Sequence, residues 1–191
     1  MIKPINEINS NELKPNELKP NEQKHMNELK YNSVKHTFAP IYNIDSKILI
    51  LGTFPSVKSR ENGFYYGHPQ NRFWKVISSV FQCEIPLTIE EKENMLLNFN
   101  IAIWDVIESC DIIGSSDNSI QNVIPNDLSM ILNNSNIKKI YANGKTAAKL
   151  YDKYNELATE KPIIALPSTS PANAAFGLDR LVECWKTIKL F

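Results

Sequence analysis

Residues Lys47 to Val80 read KILILGTFPSVKSRENGFYYGHPQNRFWKVISSV, and their pattern changes twice along the way. The run KILILG (Lys47 to Gly52) is continuously apolar and ends on glycine, which is typical of a strand buried on both faces. From Phe73 onward apolar residues recur at spacings of three and four, as in an amphipathic helix. The loop between these elements is longer than most connections in a compact domain, and loops of that length usually carry a function.

Three further apolar runs have the character of the first strand. They are NIAIWDV (Asn100 to Val106), IKKIYANG (Ile137 to Gly144) and KPIIALP (Lys161 to Pro167). Helical patterns are found in Ile89 to Asn98, in a segment that starts near Pro125, in Gly144 to Tyr154 and from Leu178 to Ile188. Four buried strands that alternate with helices predict a three-layer α/β/α sandwich with a central four-stranded parallel sheet.

The amino-terminal region has a different composition from the rest. Residues 10–30 repeat an Asn-Glu-Leu-Lys unit that is twice closed by a proline, at Pro15 and Pro20. A period of five fits neither a helix nor a strand, and the prolines interrupt any helix. We therefore expect residues 1–36 to form a disordered low-complexity tail and residues 37–191 to form the folded domain.

Bulk composition limits the possible partners and cofactors. The chain has 21 basic and 21 acidic residues, so binding to nucleic acid would require a local basic patch. Cys83, Cys110 and Cys184 are widely spaced, which favours reduced thiols over a metal site. No apolar run approaches the roughly 20 residues needed to span a bilayer. We expect a cytoplasmic monomer without a metal or other cofactor.

The residues that follow the predicted strands are polar or turn-forming. They are Gly52 to Pro55, Asp105, Asn143 with Gly144, and Pro167 to Asn173. In parallel sheets the carboxyl ends of the strands share one rim, and ligands bind beyond it. The sequence therefore predicts a site at this rim, where the long aromatic loop also belongs.

Two segments at this rim carry a resemblance to a known family. GTFPS (Gly52 to Ser56) with GFYYGHPQNRFWKV (Gly63 to Val76) resembles the first motif of the uracil-DNA glycosylase superfamily. PSTSPANAAF (Pro167 to Phe176) lies where that superfamily has its second, DNA-inserting motif. Together with IWDVIESC (Ile103 to Cys110), they are most similar to the hypoxanthine-DNA glycosylases of the same superfamily. The resemblance covers Phe38 to Phe191.

The resemblance implies roles for residues of the long loop. Many relatives have Asp or Asn before the first-motif proline, but this chain has Phe54, which cannot activate water. The hypoxanthine branch implies that Asn71 performs the chemistry instead; an N-cap of the following helix is the structural alternative. His68 could donate to the leaving base or to a phosphate, or simply support the loop. The expected base pocket comprises Gly52, Thr53, Phe54, Pro55, Tyr66 (which would stack on the base) and Asn143.

DNA contacts are expected from two places. Lys58, Arg60 and Arg72, with Lys75, form the local basic patch that a neutral chain would need to bind phosphates. Ser168 and Ser170 precede a proline, so they could open a helix and contact a phosphate with hydroxyl and N–H groups. By its resemblance to the second motif, the segment Pro171, Ala172 and Asn173 would fill the space that the extruded base leaves in the duplex.

The function that these features imply is a monofunctional DNA glycosylase of base excision repair. It would hydrolyse the N-glycosidic bond of deaminated bases in DNA, with hypoxanthine first and uracil second. The alternatives are a mismatch-specific uracil-DNA glycosylase and a non-catalytic module that binds damaged bases. An ordinary nucleotide-binding domain is disfavoured, because neither GxGxxG nor GxxxxGK[ST] follows any predicted strand.

Overall fold

The computed structural model describes residues 31–190, and the side chains of residues 31–189. The predicted repeat at residues 10–30 lies outside this part of the chain. The strands are β1 (Asn32–Lys35), β2 (Ile48–Gly52), β3 (Ile101–Asp105), β4 (Ile107–Ile112), β5 (Gln121–Pro125), β6 (Lys139–Asn143) and β7 (Ile163–Leu166). The helices are α1 (Val57–Asn62), α2 (Phe73–Phe81), α3 (Ile89–Asn98), α4 (Ser129–Leu132), α5 (Lys145–Tyr154), α6 (Glu156–Thr159) and α7 (Leu178–Trp185), with 3-10 turns at Asp117–Ser119 and Lys186–Leu190.

The four predicted strands form one parallel sheet in the order β3-β2-β6-β7, with helices around it, which confirms the predicted fold class. All five residues of β2 and all five of β3 are buried, as a central apolar strand requires. Gly52 pairs in register with Asp105, and Asn143 pairs with Leu166. The last residues of the four strands therefore lie side by side along one rim, as expected.

The helix α2 follows its predicted apolar pattern and packs against α7. Phe73, Val76 and Ile77 are completely buried, and the ring of Phe73 lies 5.8 Å edge-to-face from Trp185. The helix α5 instead presents two small residues, Ala147 and Ala148, to the sheet beside β6. Small side chains there allow the helix backbone to come close to the strand end that carries Asn143.

A second, antiparallel sheet was not predicted, and its order is β1-β4-β5. Its first strand moves the start of the folded unit, because Asn32–Lys35 pairs with β4 and the compact unit begins at Tyr31. This strand precedes residue 37, where the folded domain was expected to begin. The strand β5 was missed because most of its residues are exposed and it ends on a proline, both of which weaken a strand pattern.

Two predicted helix starts differ from the structure. Pro125 is the last residue of β5, and the short helix expected near it begins at Ser129. Ser170 does not open a helix, since the next one begins at Leu178 after the N-cap Gly177. Within residues 31–190, no helix is both long enough and apolar enough to cross a membrane.

Candidate active site

A cavity of about 880 Å³ opens at the carboxyl rim of the parallel sheet. It is lined by the turn after β2, the aromatic loop, the ends of β3 and β6, and the loop after β7. Most of the residues predicted for the site meet in its wall. These are Gly52, Thr53, Phe54, Pro55, Tyr66, His68, Asn71, Asn143, Ser168, Ser170, Pro171, Ala172 and Asn173.

The predicted basic residues lie outside the cavity wall. Lys58 is exposed and forms an ion pair of 2.7 Å with Glu61. Arg60 donates to the carbonyl of Pro55 at 2.6 Å, and its guanidinium lies 5.6 Å from the ring centre of Phe54. Lys58 is thus accessible to a phosphate, whereas Arg60 also supports the turn that forms the pocket floor. Their DNA contacts stay predictions.

Arg72 is engaged within the protein. Its guanidinium donates to the carbonyls of four residues in the loop after β7: Thr169 (3.2 Å), Ser170 (2.5 Å), Asn173 (3.0 Å) and Phe176. The backbone N–H of Arg72 also donates to the Thr169 carbonyl at 3.1 Å. These contacts indicate that Arg72 holds the loop from Ser168 to Phe176 in shape. They favour this role over the phosphate contact that the sequence suggested for Arg72.

The side chain of Asn71 is held in one orientation at the cavity wall. Its Oδ1 accepts from the backbone N–H of Phe73 and from Oγ1 of Thr169, each at 2.9 Å. Because a backbone N–H can only donate, the amide oxygen must face Phe73, and this fixes the assignment of oxygen and nitrogen. Within the described residues, Nδ2 has no hydrogen-bond partner. The N-cap of α2 is Arg72, so the alternative in which Asn71 is the N-cap is wrong. Asn71 instead accepts from the first residue of the helix, and its amide nitrogen is left available.

Thr169 connects Asn71 with Asn143 at the end of β6. Nδ2 of Asn143 donates to Oγ1 of Thr169, and the backbone N–H of Thr169 donates to Oδ1 of Asn143, each at 2.9 Å. Thr169 is completely buried and Asn143 is 8% exposed. A buried chain of hydrogen bonds therefore runs from Asn143 through Thr169 to Asn71, and it joins the strand end, the late loop and the aromatic loop.

Tyr66 and His68 shape the wall on the aromatic-loop side. Tyr66 has a φ of +51°, and its ring stacks on Phe73 with centres 4.0 Å apart, so one face of the ring is already covered. Burial, and secondarily the charge of Asp105, raise the pKa of Tyr66, so its hydroxyl stays protonated. Nδ1 of His68 accepts from the backbone N–H of Gln70 at 3.1 Å. The other ring nitrogen of His68 is then the one suited to donate.

Three charged groups at the cavity were given no role from the sequence, although Asp105 was expected at the rim. Asp105 lines the cavity at 4% exposure, and its Oδ2 lies 2.8 Å from Nε2 of His36, whose side chain is 3% exposed. Asp117 accepts from the Thr53 hydroxyl at 2.9 Å, and burial raises the pKa of its carboxyl. Lys145 lines the cavity at the start of α5. Only the strand-end position of Asp105 signalled any of them.

Fold and site together define an α/β protein that can enclose a flat heteroaromatic ligand at the rim of its sheet. The chain belongs to the uracil DNA glycosylase superfamily, whose family model matches residues 39–189. It is therefore a hydrolase of N-glycosyl bonds that acts on damaged DNA.

Relatives from two archaea are similar over most of the chain. The hypoxanthine DNA glycosylase of Methanosarcina acetivorans is 29% identical over 157 residues, which cover 81% of this chain and 98% of the relative. That of Methanosarcina barkeri is 28% identical over 141 residues, covering 73% and 88%. The solution NMR structure of a candidate uracil DNA glycosylase from Methanosarcina acetivorans matches with a TM-score of 0.70 at 29% identity, covering 81% of this chain and 96% of that one.

Proposed function

We propose that this chain is a monofunctional glycosylase that releases deaminated bases from DNA, hypoxanthine first and uracil second. The names of the two archaeal relatives support hypoxanthine as the first substrate. The observation that carries the proposal is the fixed Asn71 amide at the wall of a cavity large enough for an extruded nucleoside. An extruded base must be held, and its bond to the sugar must be broken through a cationic transition state.

Asn71 acts by position and charge distribution. An amide does not titrate in the physiological range, so it is not a general base. Both lone pairs of Oδ1 are engaged by Phe73 and Thr169, so the oxygen can hold a water only if the Thr169 hydroxyl turns away. The amide nitrogen is free to donate to the departing base, which leaves as an anion and then takes a proton. A preorganised donor of this kind stabilises charge that develops in the transition state.

Water completes the hydrolysis. Its oxygen bonds to the anomeric carbon as the N-glycosidic bond breaks; one of its protons stays in the new hydroxyl of the abasic sugar, and the other passes, directly or through solvent, to the released base anion. Phe54 lies 9% exposed in the wall where many relatives have a group that can bind water. Its ring narrows the pocket floor, so catalysis here relies on the amide of Asn71 and on stabilisation of the transition state.

The loop after β7 is the proposed DNA-inserting element. Pro171, Ala172 and Asn173 line the mouth of the cavity, and the four carbonyl contacts of Arg72 hold the loop that carries them. A preformed wedge loses little entropy when it enters the gap in the duplex. The hydroxyl oxygens of Ser168 and Ser170 accept from backbone N–H groups of this loop, so each hydroxyl proton can still donate to a phosphate beside the wedge.

The test uses duplexes that carry one labelled deoxyinosine or one deoxyuridine. After incubation, alkali cleaves every abasic site, and the wild-type chain should give a product with deoxyinosine at the higher rate. Asn71→Ala should slow single-turnover release by about 100- to 1,000-fold, as loss of a preorganised donor does in other enzymes. Gln70→Ala is the matched control, because Gln70 is the exposed neighbour in the same turn.

Two outcomes would contradict the proposal. Tight binding of the deoxyinosine duplex without an abasic product would identify a non-catalytic module, and faster release of uracil would favour the mismatch-specific class. The proposal that the enzyme is monofunctional is tested separately, because Lys145 lines the cavity and could form a Schiff base with the sugar. We expect borohydride to trap no covalent complex with DNA; a trapped complex that Lys145→Met abolishes would make the enzyme bifunctional.

A further inference from the structure

The floor of the cavity holds a buried acid that the proposed chemistry does not use. Asp105 ends β3 and lines the cavity at 4% exposure. Its Oδ2 lies 2.8 Å from Nε2 of His36, while Nδ1 of His36 accepts from the backbone N–H of Phe38 at 3.4 Å. This pattern is that of the tautomer with its proton on Nε2, so the histidine donates to Oδ2. The other carboxylate oxygen, Oδ1, is thereby directed away from His36.

Gly52 brings this second oxygen against the backbone of β2. A Cβ atom at residue 52 would lie 2.2 Å from Oδ1 of Asp105 and 3.3 Å from Oη of Tyr66. Any side chain at this position would therefore displace the carboxylate. The same distances show that the carboxylate oxygen and the tyrosine hydroxyl converge on one point of the cavity floor.

The Tyr66 hydroxyl is an unsatisfied donor. Its Oη is buried and makes no hydrogen bond within the described part of the chain. The amide of Asn143 is near enough to lower the pKa of Tyr66 slightly, but its Nδ2 already donates to Thr169. Buried polar groups in folded proteins are nearly always paired, so an unpaired one beside a cavity calls for an explanation. A ligand that supplies an acceptor at the cavity floor would satisfy it.

We infer that Asp105 and Tyr66 read the lactam edge of the extruded base, with Oδ1 of Asp105 accepting its ring N–H and Oη of Tyr66 donating to its carbonyl. Hypoxanthine presents N1–H beside O6, and uracil presents N3–H beside a carbonyl, so both match an acceptor next to a donor. Adenine and cytosine present a bare ring nitrogen beside an amino group and mismatch at both positions. The pair therefore separates hypoxanthine from adenine and uracil from cytosine. Guanine and thymine carry a lactam too and are not rejected by this pair.

This assignment rests on the proposed function and changes one part of it. Tyr66 addresses the base through its hydroxyl instead of stacking on it, which agrees with the ring face already covered by Phe73. His36 acts as a positioning residue, because it fixes which carboxylate oxygen faces the base. Asp105 and Tyr66 lie on different elements, so neither could be paired with the other from sequence spacing.

The test is a pair of variants assayed by single-turnover release from duplexes with deoxyinosine or 2′-deoxynebularine, whose purine lacks both lactam groups. Tyr66→Phe and Asp105→Asn should each slow hypoxanthine release by about 10- to 100-fold, the discrimination that a good base-edge contact supplies. Release of the nebularine base should change by about twofold or less, because that base has neither of the two groups that Asp105 and Tyr66 would contact. Binding to a duplex with a tetrahydrofuran abasic analogue, which has no base, should not change.

Tyr66→Phe also controls for folding. Removing a hydroxyl without a partner should leave the free energy of unfolding unchanged or raise it, so lost activity cannot come from lost structure. If both variants release hypoxanthine at the wild-type rate, or slow hypoxanthine and nebularine release equally, the lactam-reading role is wrong. If the wild-type chain releases no base from any duplex, the proposed function itself fails.

Discussion

Thr169→Val tests whether the buried chain of hydrogen bonds prepares Asn71 for catalysis. Valine keeps the shape of this completely buried side chain and removes two hydrogen bonds of 2.9 Å, from Asn143 and to Asn71. The Asn143 amide then lacks its partner, and a buried donor left unpaired costs about 1–3 kcal/mol. Oδ1 of Asn71 keeps its bond from Phe73, so its added cost is small. We expect the free energy of unfolding to fall by about 2 kcal/mol, or Tm by about 4–8 °C.

The catalytic effect should exceed what this loss of stability explains. Asn71 would keep one of its two orienting bonds, and misplacement of a catalytic group by about 1 Å can cost about 100-fold in rate. The assay is single-turnover release of hypoxanthine at a temperature where urea titration shows the variant fully folded. Thr169→Ser is the matched control, because it keeps the hydroxyl and loses only a methyl group. A valine variant that is folded and as fast as the serine variant would refute the reasoning.

Three further predictions concern other parts of the chain. Arg72→Ala should weaken DNA binding without changing its salt dependence, because its partners are carbonyls; a slope reduced by about one would instead indicate a phosphate contact. Hydrogen bonds from the N–H groups of Thr88 and Leu87 lower the pKa of Glu91. The contribution of Glu91 to the free energy of unfolding is thus complete above pH 4.5, its ordinary pKa, and is lost as pH falls through the lowered pKa. The stability of Glu91→Gln should therefore lack this acid-dependent loss, which the wild type shows. Burial raises the pKa of Cys110 to about 11, so DTNB at pH 8 should modify exposed Cys83 far faster; equal rates would contradict this burial.

The parallel sheet could be predicted because the sequence of each strand by itself indicates a buried strand. The runs that became β2 and β3 are apolar throughout, and a buried parallel strand needs nothing else. The rim followed from the sheet, since the ends of parallel strands align. The placement of Asn71, His68 and Tyr66 in one cavity followed from the loop between β2 and α2.

What could not be predicted depends on contacts between distant residues. His36 and Asp105 are 69 positions apart, and the His36 side of the pair lies in a strand-flanking segment that sequence composition assigned to the tail. Arg72 looked like surface charge because its carbonyl partners, about one hundred residues away, leave no trace in the sequence. The antiparallel sheet could not be predicted either, because the conformation of a half-exposed strand such as β5 depends more on the strands beside it than on its own sequence pattern.

The hydrogen bond of His36 with Asp105 makes the starting residue of an amino-terminal truncation important. A chain that starts at Tyr31 retains β1 and the histidine, whereas one that starts at Thr37 leaves the Asp105 carboxylate without its partner. The second chain would preserve every residue of both family motifs and still lose the group that orients an oxygen at the cavity floor. Trimming guided by motif boundaries alone would therefore remove a residue that orients the site although it belongs to neither motif.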